Sequence, residues 1–180
     1  MEVIKILFFV LGTFFGVENS EFAAEKTTVT HAAEDKTIRI VQEGLFAIMK
    51  NEKDSIRIYQ EVIAISKGEK HWDSELKNLR AKSLTFFTTP ESLLNVEIVF
   101  TYKNKEDMSG LSLDIDREGN FSIINIPDWN LKSEDGYKDG NYWNFKSNKD
   151  FTFTLEPFKE MPDNYKPYVK KLQLVKQMLH

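Results

Sequence analysis

The hydrophobic period of this chain changes at Pro90, and that change constrains the fold more than any other feature. Beyond it apolar residues recur at every second position: Val96, Ile98, Phe100 and Tyr102 alternate with Glu97, Val99 and Thr101. A period of two places one set of side chains on each side of an extended strand. Leu111, Leu113 and Ile115 repeat the pattern, and Arg117-Glu118-Gly119-Asn120 forms a turn from which Phe121 to Ile126 returns. Tyr142 to Phe145 and Phe151 to Leu155 read as a further hairpin around Lys146-Ser147-Asn148-Lys149-Asp150. Strands joined by turns rather than helices pair antiparallel, so this half predicts a β-meander.

Before Pro90 the spacing reads as helical. Ile38, Val41, Leu45 and Ile48 recur at intervals of three and four, with Glu34 and Asp35 at the start and Lys50 at the end. A second helix opens at Asn51 with Asp54 three residues on, a capping-box pair, and carries Ile56, Tyr59, Val62 and Ile63 until Gly68. Its first residues also alternate, which leaves a strand as the competing reading. A third runs from about His71, with Trp72, Leu76, Leu79 and Ser83 on one side, and ends before Pro90. At the C-terminus Pro167 precedes a basic amphipathic helix, with Tyr168, Leu172, Val175 and Leu179 opposite Lys170, Lys171, Gln173 and Lys176. The expected class is therefore α+β: N-terminal helices packed on a curved antiparallel β-meander, closed by a short C-terminal helix. In element order this resembles nuclear-transport-factor-like cones and cystatin-like domains, an analogy of architecture that implies nothing about activity.

The N-terminus carries an address. Ile6 to Val17 contains no charge, is preceded by Lys5 and is stopped by Glu18-Asn19-Ser20-Glu21. About 20 apolar residues span a bilayer as a helix, whereas an export signal needs about 7–15. Residues 1–20 are accordingly read as a signal peptide cleaved between 17 and 24. An uncleaved anchor is the alternative, because Glu21 or Phe22 falls where a small residue is wanted. The expected location is secreted or periplasmic. Residues 21–30 read as a polar linker and 31–180 as a single domain. Loss of Glu2, Lys5 and Glu18 would change the formal charge from −4 to −3. This near-neutral balance, without clustered Lys and Arg, argues against a nucleic-acid partner. The absence of cysteine excludes disulfides, thiolate catalysis, Cys-ligated metals and a lipid-modified N-terminal cysteine.

Motifs for chemistry are sparse. Ser109-Gly110-Leu111-Ser112-Leu113 lacks the second glycine of a nucleophile elbow, and Lys67-Gly68-Glu69-Lys70 is no phosphate loop. His31, His71 and His180 have no local acid or nucleophile and read as surface or capping residues. Asp114, Asp116 and Glu118 before Gly119 have the spacing of a calcium loop, but Asn125 stands where a bidentate Glu is needed. In a hairpin both aspartates would instead project onto the solvated face, so neither metal nor cofactor is expected. Asn120-Phe121-Ser122 is a glycosylation sequon.

The candidate binding segment is 127–145, a connection rich in aromatics, acids and glycine. Its candidate contact residues are Trp129, Tyr137, Tyr142 and Trp143 together with Glu134, Asp135 and Asp139. The competing reading folds Trp129 and Trp143 back over the sheet as covering residues. The functional expectation is an exported, non-catalytic binding domain for a protein or small ligand, such as an adaptor, an inhibitor or an immunity-type protein. Two rivals stand beside it. One is a small secreted hydrolase of glycan or peptide, drawing its acid–base pair from Asp128, Glu134, Asp135 and Asp139. The other is a component of a membrane complex held by an uncleaved N-terminal segment.

Overall fold

The computed structural model describes residues 22–67 and 79–173. Strands dominate: β1 (Phe22–Ala32), β2 (Thr37–Ile48), β3 (Arg80–Thr88), β4 (Leu94–Thr101), β5 (Asp114–Ile115), β6 (Phe121–Ile124), β7 (Tyr137–Asp139), β8 (Tyr142–Phe145), β9 (Phe151–Leu155) and β10 (Val169–Lys171). One α-helix, α1 (Glu52–Ser66), interrupts them among the described residues, and three short 3₁₀ turns complete the set. The fold is therefore mostly β, not N-terminal helices packed on a meander. No helix among the described residues is long and apolar enough to cross a membrane. The export signal assigned to 1–20 lies outside the described residues.

The strands form two antiparallel sheets. The larger has the order β3-β4-β2-β1-β9, with β10 also paired to β2. The smaller has the order β5-β6-β8-β7. One apolar core joins both sheets and the helix, including Ile38 and Ile40 of β2, Val96 and Ile98 of β4, Phe121 and Phe145 of the small sheet, and Ile58, Val62 and Ile65 of α1.

The β1–β2 hairpin corrects two expectations together. Residues 21–30, expected as a linker, are strand from Phe22 onward, and the first expected helix is β2. The cause lies at a corner. In β1 the core face takes Phe22 and Ala24, then Val29 and His31; in β2 it takes Ile38 and Ile40, then Leu45 and Ala47. Both strands change parity around Glu25 and Gly44. Gly44 has φ +64°, a left-handed conformation that glycine adopts at little cost, and a Cβ there would lie 2.6 Å from the Glu25 carboxylate. Its N–H donates to the side chain of Asn95 on β4, at 2.7 Å to Oδ1, rather than to a backbone carbonyl of that strand. Beyond this corner β2 exchanges β4 for β10 as its partner. A strand whose inward residues run 38, 40, 42, 45, 47 contains a three-residue step, which imitates a helical period.

The helix at 51 is real. Asn51 Oδ1 accepts from Asp54 N–H at 3.1 Å while Asp54 Oδ2 accepts from Asn51 N–H at 3.2 Å, the reciprocal pair that satisfies two unpaired donors. Its buried stripe is Ile58, Val62 and Ile65, and Ile56 faces solvent. The third expected helix fails from Arg80 onward, where β3 pairs with β4; residues 71–78 lie outside the described residues. The expected C-terminal helix is also corrected: Lys166–Tyr168 is a 3₁₀ turn and Val169–Lys171 a strand, with Leu172 fully buried. Residues 174–180 are outside the described residues.

Tyr142–Phe145 and Phe151–Leu155 are both strands, but they do not pair. β8 joins the small sheet and β9 joins β1 in the large one. The connection between them is tied elsewhere: the Lys149 carbonyl accepts from His31 Nδ1 at 3.0 Å, and Asp150 Oδ1 accepts from Ala33 N–H at 2.8 Å. β9 would be a bare sheet edge on its far side. Lys132 bonds both backbone groups of Thr154, and Asp135 Oδ2 accepts from Thr152 N–H at 2.8 Å. The segment 132–135 thus shields an edge that could otherwise template pairing with another chain.

Candidate functional site

Strand register divides the small sheet into two unlike faces. Asp114, Ser122, Asn144 and Tyr137 lie side by side across its four strands, and two residues along, on the same face, come Ile124, Tyr142 and Asp139. The opposite face carries Ile115, Phe121 and Phe145, with Ile123, Trp143 and Lys138 in the next row. Phe121, Ile123 and Phe145 are fully buried, so this second face packs on the core. Phe145 stacks on Phe151 of β9 at 4.5 Å between ring centroids, which joins the two sheets.

The outward face holds an open cleft of about 590 Å³. Asp114, Asp116, Arg117 and Glu118 border it from the β5–β6 hairpin, and Tyr137, Asp139 and Tyr142 from the β7–β8 hairpin. Tyr137 and Tyr142 are each about half exposed, at 49% and 46%. The cleft also reaches Ser122 and Asn144, each only 7% exposed. Neither side chain makes a hydrogen bond among the described residues. Among them, Gln42 Oε1 is the sole side-chain polar atom both sealed from solvent and without a partner. The hydroxyl of Ser122 and the amide of Asn144 therefore open into the cleft. Polar groups so deeply set are normally bonded, so they are available to a ligand.

Asp116 has a different task. Its Oδ1 accepts from the backbone N–H groups of Glu118 and Asn120, both at 2.8 Å, and its Oδ2 from Asn120 Nδ2 at 3.3 Å. Burial pushes this carboxyl up, but the bonds from Asn120, Glu118 and Gly119 outweigh it and hold it below the usual carboxylate range. The calcium-like spacing is thus a turn that Asp116 organises. No group of three His, Asp or Glu among the described residues is arranged to hold a metal ion. The sequon amide of Asn120 is engaged in the same turn.

Of the seven candidate contact residues, the fold brings Tyr137, Tyr142 and Asp139 together. Trp129 is buried, at 4% exposure. Trp143 lies on the core-facing side, its ring stacked on Phe145 at 6.4 Å and 13°, with Lys138 Nζ 5.2 Å from its centroid. Its Nε1 donates to Asn125 Oδ1 at 3.1 Å. Glu134 and Asp128 are exposed away from the cleft, and Asp135 is committed to the β9 edge. Sequence reasoning missed Ser122, Asn144 and the joining of Asp114 and Glu118 to the tyrosines. The alternation at 113–116 did place Asp114 on the solvated face; its neighbour β8 is revealed only by pairing.

His31 also departs from expectation. It is not at the start of a surface helix but fully buried in β1. Its ring stacks on Phe151 at 4.6 Å and meets Phe121 edge-on at 5.2 Å. Nδ1 contacts a carbonyl, that of Lys149, so Nδ1 carries the proton. Nε2, 2.8 Å from the Tyr102 hydroxyl, must then accept from it. Burial lowers the pKa of His31 from its ordinary 6.5, against a smaller upward pull from the Lys149 carbonyl. No family model, curated protein sequence or solved structure matches this chain.

Proposed function

We propose that this chain is an exported, non-catalytic binding domain whose recognition surface is the outward face of the small sheet. One observation carries the reading: the nearly buried side chains of Ser122 and Asn144 open, without protein partners, into a cleft flanked by two half-exposed tyrosines. Tyrosines offer large contact area with few torsions to immobilise, and a fixed amide below them can orient a polar ligand. The face rests on strands locked to the core by Phe121 and Phe145, so little ordering is needed on binding. Export is supported by the apolar run from Ile6 to Val17 and its charged flanks.

A thermal-shift panel on the mature protein tests the binding reading, with its N-terminus read by intact mass. A ligand at 100 times its Kd adds about 2.7 kcal/mol, which raises Tm by roughly 5–10 °C in a domain of this size. The shift should vanish in Tyr137→Ala and Tyr142→Ala. A ligand shift indifferent to both substitutions would refute the assignment of this face. Turnover abolished by a single polar substitution would overturn the non-catalytic part, and an intact N-terminus the cleaved export signal.

A further inference from the structure

Resting on the binding reading above, we infer that the cleft takes a cationic nitrogen group, an ammonium or a guanidinium. The argument is one of unneutralised charge. Asp114, Asp116, Glu118 and Asp139 border the cleft against the single cation Arg117. None of these four carboxylates forms an ion pair among the described residues, although such pairs occur elsewhere, as between Lys26 and Glu43 or Lys171 and Glu25. The whole chain has a formal charge of only −4, so this concentration is local rather than a general acidity.

Two other clefts show the opposite composition. One is lined by Lys36, Lys103 and Lys105 with Glu106, and none of these lysines forms an ion pair among the described residues. The other has Lys159, Lys166 and Lys171 around Phe46, and two of these lysines are paired, Lys171 with Glu25 at 3.0 Å and Lys166 with Asp163 at 2.6 Å. In this second cleft positive charge is thus partly balanced within the protein, whereas the acids of the small-sheet cleft are left without a cation partner. Like charges gathered on one face repel, and a bound cation would relieve that repulsion.

The uncharged groups fit the same ligand. Tyr137 and Tyr142 present half-exposed rings beside the acids, and the face of an aromatic ring attracts a cation. Ser122 Oγ and Asn144 Oδ1 supply neutral acceptors at the base, where an N–H donor needs partners that water can no longer provide. A neutral sugar would use the rings and the amide but would leave the carboxylates unneutralised. An anion would be repelled.

The test is calorimetric titration of the mature protein with a hexalysine peptide and with spermidine, alongside a hexaglutamate peptide and a neutral oligosaccharide. Heteronuclear NMR follows the Asn144 side-chain amide in the same titrations. Cation binding is expected, weakening as salt rises from about 20 to about 200 mM. Asp114→Asn or Asp139→Asn should weaken it about 2- to 5-fold each, as should Tyr137→Ala. Asp163→Asn, away from the cleft, should leave it unchanged. Hexalysine binding without spermidine binding identifies a basic polypeptide segment as the source; the reverse identifies a free amine. Failure of both cations to bind, or binding indifferent to Asp114→Asn and Asp139→Asn, overturns the inference. A neutral glycan that shifts Asn144 and is lost in Tyr137→Ala overturns the charge argument while keeping the binding face. If no probe moves Asn144 and a ligand found by thermal shift binds elsewhere, both readings fall.

Discussion

Replacing Tyr102 with Phe deletes one oxygen and nothing else, at a place where the structure leaves no substitute. Tyr102 is 7% exposed and its hydroxyl donates to Nε2 of the fully buried His31. Because Nδ1 holds the proton against the Lys149 carbonyl, the ring cannot change tautomer without breaking its second bond. In a ring packed against Phe121 and Phe151, Nε2 would be left an acceptor with no donor. A buried polar group orphaned in this way costs about 1–3 kcal/mol. For a domain of this size that is a fall in Tm of roughly 2–12 °C. His31→Phe alone orphans the Tyr102 hydroxyl and should cost a similar amount. The double variant removes both ends of the bond, so it should be less destabilised than the sum, with a coupling of about 0.5–3 kcal/mol. Urea unfolding of the four proteins at pH 8 measures this. Additivity within about 0.5 kcal/mol would show that no such bond stabilises the core. The same proteins predict a pH dependence. Since the folded pKa of His31 lies below its unfolded value of 6.5, the unfolded chain binds the proton more readily. The penalty is absent well above 6.5, grows as pH falls through that value toward the folded pKa, and is complete below it. Wild type should therefore lose more stability than His31→Phe between pH 8 and 5, and parallel curves would contradict the burial argument.

Other outcomes follow from single contacts. Trp129→Ala should cost about 3–5 kcal/mol, because a buried indole is removed; chemical denaturation should show it, and any loss of ligand binding should track unfolding rather than precede it. Gly44→Ala should cost about 1–3 kcal/mol, since it forces a side chain into φ +64° beside Glu25; hydrogen exchange should accelerate first around the Glu25–Gly44 corner. Asn51→Ala should cost about 1 kcal/mol by opening the capping box of α1, measured as a lower urea midpoint with an unchanged slope.

Legibility differed between elements for identifiable reasons. β4 could be read because Val96, Ile98, Phe100 and Tyr102 keep one parity throughout and all are buried. The turn at 117–120 and the capping box at Asn51 could be read because a few neighbouring residues decide them. Gly119 takes φ +80° where the hairpin reverses, and Asn51 and Asp54 satisfy each other. β1 and β2 were misread because each changes parity at the Glu25–Gly44 corner, and a shifted alternation has the spacings of a helix. The pairing of β8 with β9 was misassigned although both strands were recognised. Short connection length favours a hairpin, but contacts from His31 and Ala33 hold the turn so that the strands enter different sheets.

The candidate site divides along the same line. Tyr137, Tyr142 and Asp139 were identified from composition, and the solvated side of Asp114 from alternation. Their convergence with Asn144 and Ser122 was not visible, since it depends on β6 lying between β5, which ends at Ile115, and β8, which begins only at Tyr142. What local order alone determined was the antiparallel habit of the second half, the start of α1 and the apolar run at the N-terminus, each set by side chains within a few positions. Tertiary structure decided the rest: the strand identity of 22–48, the partition into two sheets, the burial of His31 and the cleft itself. These depend on which surfaces exclude water together, and that is a property of pairing across the chain rather than of any one segment.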